Sequence, residues 1–320
     1  MTVNLASIQQ AHKRITPYLA HTPLIRFQAL EEHLDTPHPI YLKCEHHQPT
    51  HTFKVRGAFN ALLSLKQEER QKGIVTRSSG NFAQAVAYAA QKLSMHAKIV
   101  MPLDAPLIKQ ERTKQFHPEL ILFGKTHEEG EEKVEEMKQE LGCVALSPYD
   151  QKEVIEGQGT AALEIYEALP SIAHFFCPIG GGGLMSGCAT AFKSLNASIQ
   201  TIGIEPKGAQ DYCLARQKGE RFALKEIETI ADGLRASQVG VLNWPLLQEH
   251  VDLVEVVSDA QIQFAMAFIY RALNIVTEPS GAVSLAALLF SKIALKGPAV
   301  CLLSGANIDS TNFHQLISKN

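Results

Sequence analysis

The stretch Pro49-Thr50-His51-Thr52-Phe53-Lys54-Val55-Arg56-Gly57-Ala58 (residues 49–58) contains the turn around which the rest of the chain is arranged. An apolar strand is predicted just before it, at residues 40–44, and the polar turn opens an amphipathic helix. Lys54 falls in the first turn of that helix, where the positive end of the helix dipole and the apolar neighbours disfavour a protonated amine. A neutral amine can attack a carbonyl group. A helix-start lysine that extends its head into water has the same sequence context, so both interpretations stay open.

Beyond this stretch, short apolar segments alternate with amphipathic helical patterns. Strands are predicted at residues 73–76, 97–101, 120–123, 144–146, 174–179, 200–205, 252–257 and 299–303. Helices are predicted at residues 7–18, 82–94, 107–117, 127–141, 153–169, 184–195, 259–273 and 281–295. This alternation implies an α/β fold with a parallel, doubly wound sheet that helices cover on both faces. Ligands of such sheets bind at the carboxyl ends of the strands.

The composition limits the classes of partner. A length of 320 residues favours about two domains, and a formal charge of −3 argues against a nucleic-acid partner. No uncharged apolar run reaches the length of a membrane span, and the first six residues lack the pattern of a secretory signal. The six cysteines are scattered without a Cys-x-x-Cys pair, which indicates reduced core residues. We therefore expect a cytoplasmic protein with no nucleic-acid or membrane partner.

Four consecutive glycines, Gly180, Gly181, Gly182 and Gly183, follow the strand predicted at 174–179 and precede a predicted helix. The backbone N–H groups of such a loop can turn toward one anion, and the helix N-terminus adds its dipole. The spacing does not fit a Gly-x-Gly-x-x-Gly dinucleotide loop. A single phosphate ester therefore suits this tetraglycine loop (residues 180–183) best, with a tight packing turn as the structural alternative.

Three other groups of residues invite a metal hypothesis. The acidic run at 128–136 is typical of a solvated helix face. Four potential zinc ligands lie close together but fit no zinc spacing: Cys44, His46, His47 and His51. Glu205 and Asp211 stand six residues apart at a predicted strand end, where the spacing fits helix-start carboxylates as well as a cation site.

The order of these motifs resembles one known family. Four segments match it along nearly the whole chain: the Lys54 turn, Ser78-Ser79-Gly80-Asn81, the tetraglycine loop and Ser304-Gly305-Ala306-Asn307. The chain is similar to the threonine dehydratase and serine racemase group of pyridoxal-phosphate enzymes, the fold-type II, tryptophan-synthase-β-like class. The resemblance implies two doubly wound, mostly parallel sheets. It also implies a small domain (71–149) inserted into a larger one (1–70 and 150–320), and a homodimer.

The resemblance further implies the residues that hold pyridoxal 5′-phosphate. Lys54 binds its aldehyde, the tetraglycine loop holds its phosphate, Asn81 hydrogen-bonds the ring 3′-oxygen, and Ser304 faces the ring nitrogen. The expected cofactor-binding residues are Lys54, Phe53, Asn81, Gly180, Gly181, Gly182, Gly183, Glu278 and Ser304. Because a serine carries no charge to keep a proton on the ring nitrogen, a long-lived carbanion is poorly supported and β-elimination is favoured.

The expected reaction is therefore removal of water from L-threonine or L-serine, an amino-acid substrate, to give a 2-oxo acid and ammonia. Lys54 and Ser79 are the expected catalytic residues. Racemisation needs a proton donor or acceptor on each face of the substrate, and in racemase members a serine stands where Ser79 stands here. Ser79 can also serve only to hydrogen-bond the substrate carboxylate or the turn. Serine racemisation and dehydration of 3-hydroxyaspartate are the alternatives.

Two rivals lie outside these activities: a non-catalytic protein that binds a phosphorylated ligand, and a nucleotide-binding α/β protein.

The resemblance also assigns oxygen ligands for Mg²⁺ or another divalent cation to Glu205, Asp211 and the backbone of Ala209. The expected substrate-binding residues are Ser78, Ser79, Asn81 and Phe82.

Three positions depart from the family pattern, and two of them, Phe82 and His51, predict an altered choice of substrate side chain. His51 and Ala306 stand where glycine is usual, and Phe82 stands where histidine is usual. The acidic helix also offers no clear arginine for a second carboxylate contact.

Overall fold

Alternating strands and helices build two separate sheets. The computed structural model describes residues 2–318. The strands are β1 (Leu24–Arg26), β2 (Ile40–Cys44), β3 (Ile74–Arg77), β4 (Ala97–Met101), β5 (Glu119–Leu122), β6 (Val144–Ala145), β7 (His174–Pro178), β8 (Gln200–Pro206), β9 (Leu253–Val257) and β10 (Ala299–Leu303). The α-helices are α1 (Leu5–Ile15), α2 (Gln28–His33), α3 (Lys54–Ser64), α4 (Gln67–Lys72), α5 (Asn81–Lys92), α6 (Leu107–Lys114), α7 (His127–Leu141), α8 (Lys152–Ala168), α9 (Gly183–Leu195), α10 (Asp211–Lys218), α11 (Asn243–His250), α12 (Asp259–Leu273), α13 (Pro279–Phe290) and α14 (Ser310–Ile317). The predicted fold class, α/β with two doubly wound and mostly parallel sheets, is confirmed.

The larger sheet has the strand order β1-β2-β10-β7-β8-β9, and all its pairs are parallel except β1 with β2. Successive side chains of a strand point to opposite faces, and β10 shows this alternation. Val300 and Leu302 join the core formed with α8 and α9, whereas Cys301 and Leu303 join the core formed with α12 and α13. Both faces are therefore buried, as the continuous apolar run of β10 predicts.

The smaller sheet has the order β5-β4-β3-β6, with all strands parallel. Ile74 and Ile99 pack on the side of α5, and Val75 and Val100 pack on the side of α7. In sequence, its strands lie between β2 and β7 of the larger sheet. A division of the chain into domains at residues 71 and 149 stays a prediction.

The motifs lie where strands end. Lys54 begins α3, which follows β2; the Ser78-Ser79-Gly80-Asn81 turn follows β3; the tetraglycine loop follows β7; and Ser304 follows β10. Because β2, β10 and β7 are neighbours and parallel, three of these motifs meet at one edge of the larger sheet. This is the edge at which α/β proteins bind ligands.

Several elements differ from the sequence predictions. The helix predicted at 281–295 is wrong at both ends, because Pro279 occupies the first turn of α13 and Ser291 has an extended backbone that ends the helix. The sequence predictions missed one strand and five helices: β1, α2, α4, α10, α11 and α14. These helices have six or eight residues, and β1 has three, so apolar periodicity has little length over which to show.

Two compositional expectations have structural counterparts. None of the helices within residues 2–318 is long and apolar enough to cross a membrane. All six cysteines are free thiols, and five of them are buried.

A buried ion-pair network fixes α3 against the rest of the larger sheet. Arg56 is 1% exposed and donates to both carboxylate oxygens of Glu45, at 2.7 and 2.8 Å, and to both of Glu164, at 2.7 and 2.8 Å. Lys43 also donates to Glu164, at 2.6 Å. Burial alone would raise the pKa of Glu164, but Arg56 and Lys43 hold the pKa of Glu164 at about 2. The network thus joins β2, α3 and α8 through fully paired charges.

We predict that Arg56→Met lowers the free energy of unfolding by about 3–5 kcal/mol, because two carboxylates lose the guanidinium that compensates their burial. Urea unfolding followed by the fluorescence of Trp244, the only tryptophan, measures the change. Lys133→Met is the matched control, since Lys133 pairs with the exposed Glu136 on α7. Equal losses in the two variants would contradict a special role for the buried network.

Candidate active site

Lys54 is placed at the first residue of α3, as predicted. Its amine donates a hydrogen bond of 2.8 Å to the backbone carbonyl of Pro148. It also lies 5.2 Å from the ring centre of Phe53 and 5.8 Å from that of Phe82. The Lys54 amine therefore donates to one backbone carbonyl and lies near two aromatic rings. Phe53 belongs to the turn after β2 of the larger sheet, and Phe82 belongs to α5, which follows β3 of the smaller sheet.

The surroundings of Lys54 favour the neutral amine. Lys54 stays partly open to solvent, yet enough protein surrounds its amine that lost hydration lowers the pKa of Lys54 to about 8. The negative charge of Glu278 acts in the opposite direction and raises it. About a tenth of the amine is thus unprotonated at pH 7, and this is the form that a nucleophile or a general base requires.

Glu278 and two asparagines form a hydrogen-bonded row beside Lys54. Asn81 donates to the Glu278 carboxylate at 2.6 Å, and Asn307 donates to the Asn81 side-chain oxygen at 2.8 Å and to the Thr50 carbonyl at 3.0 Å. Burial raises the pKa of Glu278 to about 7, although the hydrogen bond from Asn81 opposes the rise. The row fixes the orientation of the Asn81 amide. The sequence interpretation gave no role to Asn307, although it closes the Ser304 motif.

The tetraglycine loop leads directly into α9, which begins at Gly183, one residue earlier than predicted. Gly182 has φ +99°, a conformation that favours glycine. A Cβ atom at Gly181 would lie 2.2 Å from the Tyr149 ring, and one at Gly183 would lie 2.8 Å from the Tyr149 carbonyl. Within residues 2–318, no backbone carbonyl accepts a hydrogen bond from Gly180, Gly181 or Gly182. The loop thus packs too closely for side chains and offers N–H groups at a helix start, which suits a phosphate.

Ser304 is buried and joins the end of β10 to the turn that carries Lys54. Its carbonyl accepts hydrogen bonds from the Phe53 backbone and the Thr52 hydroxyl, both at 3.1 Å. Its own hydroxyl donates to the Ser280 carbonyl at 3.2 Å. The side chain that Ser304 brings to the site is therefore a neutral hydroxyl.

The predicted substrate residues lie on the turn between β3 and α5. Ser78 and Ser79 are half-buried, and the Ser78 hydroxyl accepts a hydrogen bond of 3.3 Å from the Gly80 backbone. Phe82 is buried and contributes one of the aromatic walls near Lys54. The structure thus brings Phe82 and Asn81 to the lysine.

The candidate cation residues lie where β8 leads into α10. Glu205 and Asp211 are both buried, and their carboxylates are close enough to interact. Burial and the neighbouring Asp211 carboxylate raise the pKa of Glu205, and burial raises the pKa of Asp211 to about 7. One Asp211 oxygen accepts from the Val239 backbone at 2.7 Å, while the other is buried without a partner. Ala209 is buried in the connecting turn.

Groups of three or more His, Cys, Asp or Glu side chains arranged to hold a metal ion do not occur within residues 2–318. The rings of His46 and His47 are in contact, with their centres 4.4 Å apart and their planes tilted by 42°. Burial lowers the pKa of His46 to about 4.

Two departures from the family pattern have structural counterparts. His51 has φ +56°, a left-handed conformation that glycine adopts without strain, and its carbonyl accepts a hydrogen bond from the Ala306 backbone at 2.9 Å.

On the acidic helix α7, a Cβ atom at Gly130 would lie 2.6 Å from Arg77 Nε. The glycine therefore makes room for an arginine that comes from β3, directly before Ser78. Sequence inspection of α7 alone missed this arginine.

The model of the family described as "Pyridoxal-phosphate dependent enzyme" matches residues 15–305. The chain belongs to the pyridoxal-phosphate-dependent enzyme family. It is 40% identical over 314 residues to the serine racemase of Arabidopsis thaliana, covering 96% of this chain and 93% of that protein. It is 38% identical over 319 residues to the catabolic L-threonine dehydratase of Staphylococcus aureus strain N315, covering 98% and 92%. The solved structure of maize serine racemase superposes with a TM-score of 0.95 at 38% identity, covering 100% of this chain and 98% of that chain.

These similarities confirm the predicted resemblance to the threonine dehydratase and serine racemase group. They also confirm pyridoxal 5′-phosphate as the cofactor and the chain as an enzyme of this family. Relatives with both activities match at nearly the same identity, so the similarity alone does not choose between a lyase and a racemase.

We predict that capture of the cofactor by cofactor-free protein depends on the neutral fraction of Lys54. With a pKa of about 8, the capture rate rises about tenfold per pH unit below pH 8 and levels off above it. Glu278→Gln shifts this profile to lower pH, because the carboxylate that raises the pKa of Lys54 is gone. Stopped-flow absorbance of the bound cofactor measures both.

Glu249→Gln serves as the control, because Glu249 is an exposed residue of α11 and should leave the profile unchanged. A capture rate that is flat between pH 6 and 9, after correction for the cofactor's own titration, would contradict the role of Lys54.

Proposed function

We propose that this enzyme is an ammonia-lyase that removes water from L-threonine or L-serine and yields a 2-oxo acid and ammonia. The observation that carries the proposal is the hydrogen bonding of Ser304 to the turn that carries Lys54. The pKa of Lys54 is lowered to about 8. The Ser304 carbonyl accepts the Phe53 N–H, and the Ser304 side chain is a neutral hydroxyl. The first group can take a proton, and the second leaves the cofactor ring uncharged at its nitrogen.

The residues present fit pyridoxal phosphate. In this proposal the tetraglycine loop holds the phosphate, Lys54 holds the aldehyde carbon, Asn81 faces the ring 3′-oxygen, and Phe53 and Glu278 line the remaining wall. The close packing of Tyr149 on Gly181 supports the phosphate assignment, because it leaves only backbone N–H groups for an anion. When bound, the cofactor supplies an acceptor for the electron pair of the breaking Cα–H bond.

The elimination itself is assigned to this chain's own groups. Lys54 takes the proton from Cα of the substrate, and the β-hydroxyl leaves from the neighbouring carbon with a proton, as water. The enamine product tautomerises to an imine, and a water molecule hydrolyses its C=N bond to give the 2-oxo acid and ammonia. Ser304 is neutral and therefore does not keep a proton on the ring nitrogen, so a long-lived negative charge at Cα is disfavoured. Departure of the hydroxyl together with the proton avoids that charge, which supports elimination over slower reprotonation.

Racemisation is the second candidate, and Ser79 is the observation that favours it. Ser79 lies half-buried on the turn that leads to Asn81, so a second hydroxyl borders the substrate region. The serine racemase of Arabidopsis thaliana is a relative at 40% identity. We assign Ser79 to the substrate face opposite Lys54, where it can return a proton to Cα.

Arg77 supports a further option, 3-hydroxyaspartate as substrate. The Arg77 side chain packs on Gly130 of α7, and Arg77 directly precedes Ser78 in the chain, so we place its positive charge beside the proposed substrate turn. Glu131 and Glu128 interact with the same arginine, and their negative charges offset part of its positive field. Phe82 and His51 narrow the side-chain space on the other walls in this proposal.

One assay separates these candidates. We expect purified enzyme to convert L-serine, L-threonine or 3-hydroxyaspartate to a 2-oxo acid, and D-serine to accumulate more slowly. Ser79→Ala should lower D-serine formation at least about tenfold while 2-oxo acid formation changes much less, because general acid–base groups contribute about 10²–10⁴-fold. Chiral chromatography and 2-oxo acid detection from the same reaction give both rates.

Ser194→Ala is the matched control, because Ser194 lies near the far end of α9 and its hydroxyl donates to the Thr190 carbonyl, so both rates should stay unchanged. Parallel loss of both products in Ser79→Ala would show that Ser79 holds the substrate rather than moving a proton. Absence of 2-oxo acid from all three amino acids would contradict the ammonia-lyase assignment.

We also propose that Glu205, Asp211 and the Ala209 carbonyl bind Mg²⁺ or another divalent cation. The buried Asp211 oxygen without a partner and the adjacent Glu205 and Asp211 carboxyl groups, whose pKa values are raised, support this, since a hard cation binds carboxylate oxygens and favours their ionised form. The role is structural, because these residues lie at the end of β8 rather than beside Lys54.

We predict that Mg²⁺ or Ca²⁺ raises the melting temperature of the wild-type enzyme and that a chelator reverses the effect. Asp211→Asn should abolish the response. Asp259→Asn is the control, because Asp259 occupies the same position at the start of α12 but accepts hydrogen bonds from Thr229 and Ile230. An unchanged ion response in Asp211→Asn would remove this site from consideration.

Three broader features complete the proposal. A cytoplasmic location is supported by the six free thiols, which persist in a reducing compartment. A homodimer is supported by the family resemblance. The separate sheets support a small domain at 71–149 within a larger one at 1–70 and 150–320.

A further inference from the structure

A buried asparagine behind the tetraglycine loop holds the loop in place. Asn243 begins α11, is fully buried, and directs its amide NH₂ group at three oxygens. These are the Tyr149 carbonyl at 3.0 Å, the Gly181 carbonyl at 3.1 Å and the Asp150 carboxylate at 3.3 Å. Because all three neighbours are acceptors, only the NH₂ group can face them, and the orientation of the amide is determined.

Asp150 holds the segment that carries this asparagine. Its carboxylate accepts the backbone N–H groups of Val241 at 2.7 Å and Leu242 at 2.8 Å. Gly240 donates its own N–H to the Gly181 carbonyl at 3.0 Å. Residues 240–243 are thus fixed between Asp150 on one side and the Gly181 carbonyl on the other.

The close approach of these segments depends on glycine. A Cβ atom at Gly240 would lie 2.2 Å from the Asp150 carboxylate, and one at Gly182 would lie 2.9 Å from Asn243 Cβ. Any side chain at either position would push Asn243 away from the loop. Glycine at these positions therefore permits the packing of Asn243 against the loop as well as the binding of an anion.

The Gly181 carbonyl therefore receives two donors, Gly240 N–H and Asn243 NH₂, from one side. In a trans peptide the C=O of one residue and the N–H of the next point in opposite directions. Fixing the Gly181 oxygen toward Asn243 consequently aims the Gly182 N–H away from Asn243. Consecutive glycines otherwise sample many backbone conformations, so this restraint removes an entropic cost that anion binding would have to meet.

We propose that Asn243, supported by Asp150, is a positioning residue that orients the Gly181–Gly182 peptide as a phosphate-binding donor. The inference rests on the proposed function, in which the tetraglycine loop holds the cofactor phosphate. Asn243 then strengthens the binding of the phosphate group alone and does not affect the binding of the aldehyde or the ring.

The test compares pyridoxal phosphate with pyridoxal, which lacks the phosphate. The full-length chain is freed of cofactor, and equilibrium dialysis gives the affinity for each compound. We expect Asn243→Asp, which keeps the shape but replaces the NH₂ donors, to weaken binding of pyridoxal phosphate at least about tenfold. Its affinity for pyridoxal should change less than about twofold, because the aldehyde and ring contacts are untouched.

Asn196→Asp is the matched control, because Asn196 ends α9 at the far end of the same helix and its side chain contacts only Ser198 among the described hydrogen bonds. It should leave both affinities unchanged. Asp150→Ala is the second variant; it removes the acceptor for Val241 and Leu242 and should reduce the preference for pyridoxal phosphate as well. It decides the matter if Asn243→Asp does not fold, as judged by circular dichroism.

Equal losses for both compounds, or no loss for pyridoxal phosphate, would overturn the role of Asn243. A wild-type enzyme that binds pyridoxal phosphate no more tightly than pyridoxal would instead overturn the phosphate assignment of the tetraglycine loop, and this inference with it. The two failures are therefore distinguishable in one set of titrations.

Discussion

The paired burial of Arg56 is the constraint on which the position of the site depends. A buried guanidinium that contacts two carboxylates cannot shift without leaving a charge uncompensated, so α3 has one position relative to β2 and α8. Lys54 stands two residues before Arg56 on the same helix. Any shift of α3 that moves the Lys54 amine would therefore also disrupt the ion-pair network. The helix start carries the reactive group, and the buried network further along the helix makes that start rigid.

The two buried regions use electrostatics in opposite ways. Around Arg56 every charge is paired, and the pKa of Glu164 falls to about 2, so the group stays ionised. Around Lys54 the pairing is incomplete, and burial brings the pKa of Lys54 to about 8 and that of Glu278 to about 7. Groups that titrate close to neutrality can exchange protons with a substrate, and such values are typical of functional sites. The same physical effect, loss of hydration, therefore gives rigidity in one place and reactivity in the other.

Much of this arrangement was predictable from the sequence, because the signals are local. Apolar segments of strand length predicted the strands, and the turns after them indicated Lys54 and the tetraglycine loop. The arrangement in two sheets and the roles of Asn81 and Ser304 were implied by the family resemblance. The supporting residues carry no such signal. Asn243 contacts residues more than sixty positions away, and Arg77 fills space that Gly130 leaves on another element. Short elements such as β1 also escaped, since three residues cannot show a period.

The segment 148–150 connects the Lys54 amine with the tetraglycine loop. The Pro148 carbonyl accepts the hydrogen bond of Lys54, the Tyr149 ring packs on Gly181, and Asp150 holds the backbone that carries Asn243. Three consecutive residues therefore contact the reactive amine, the loop and the support of the loop. Since adjacent Cα atoms are about 3.8 Å apart, the contacts of this segment with the amine and with the loop start from neighbouring backbone positions. In the proposed assignment, a ligand whose aldehyde and phosphate are a fixed distance apart would bridge the two groups that these neighbouring residues contact.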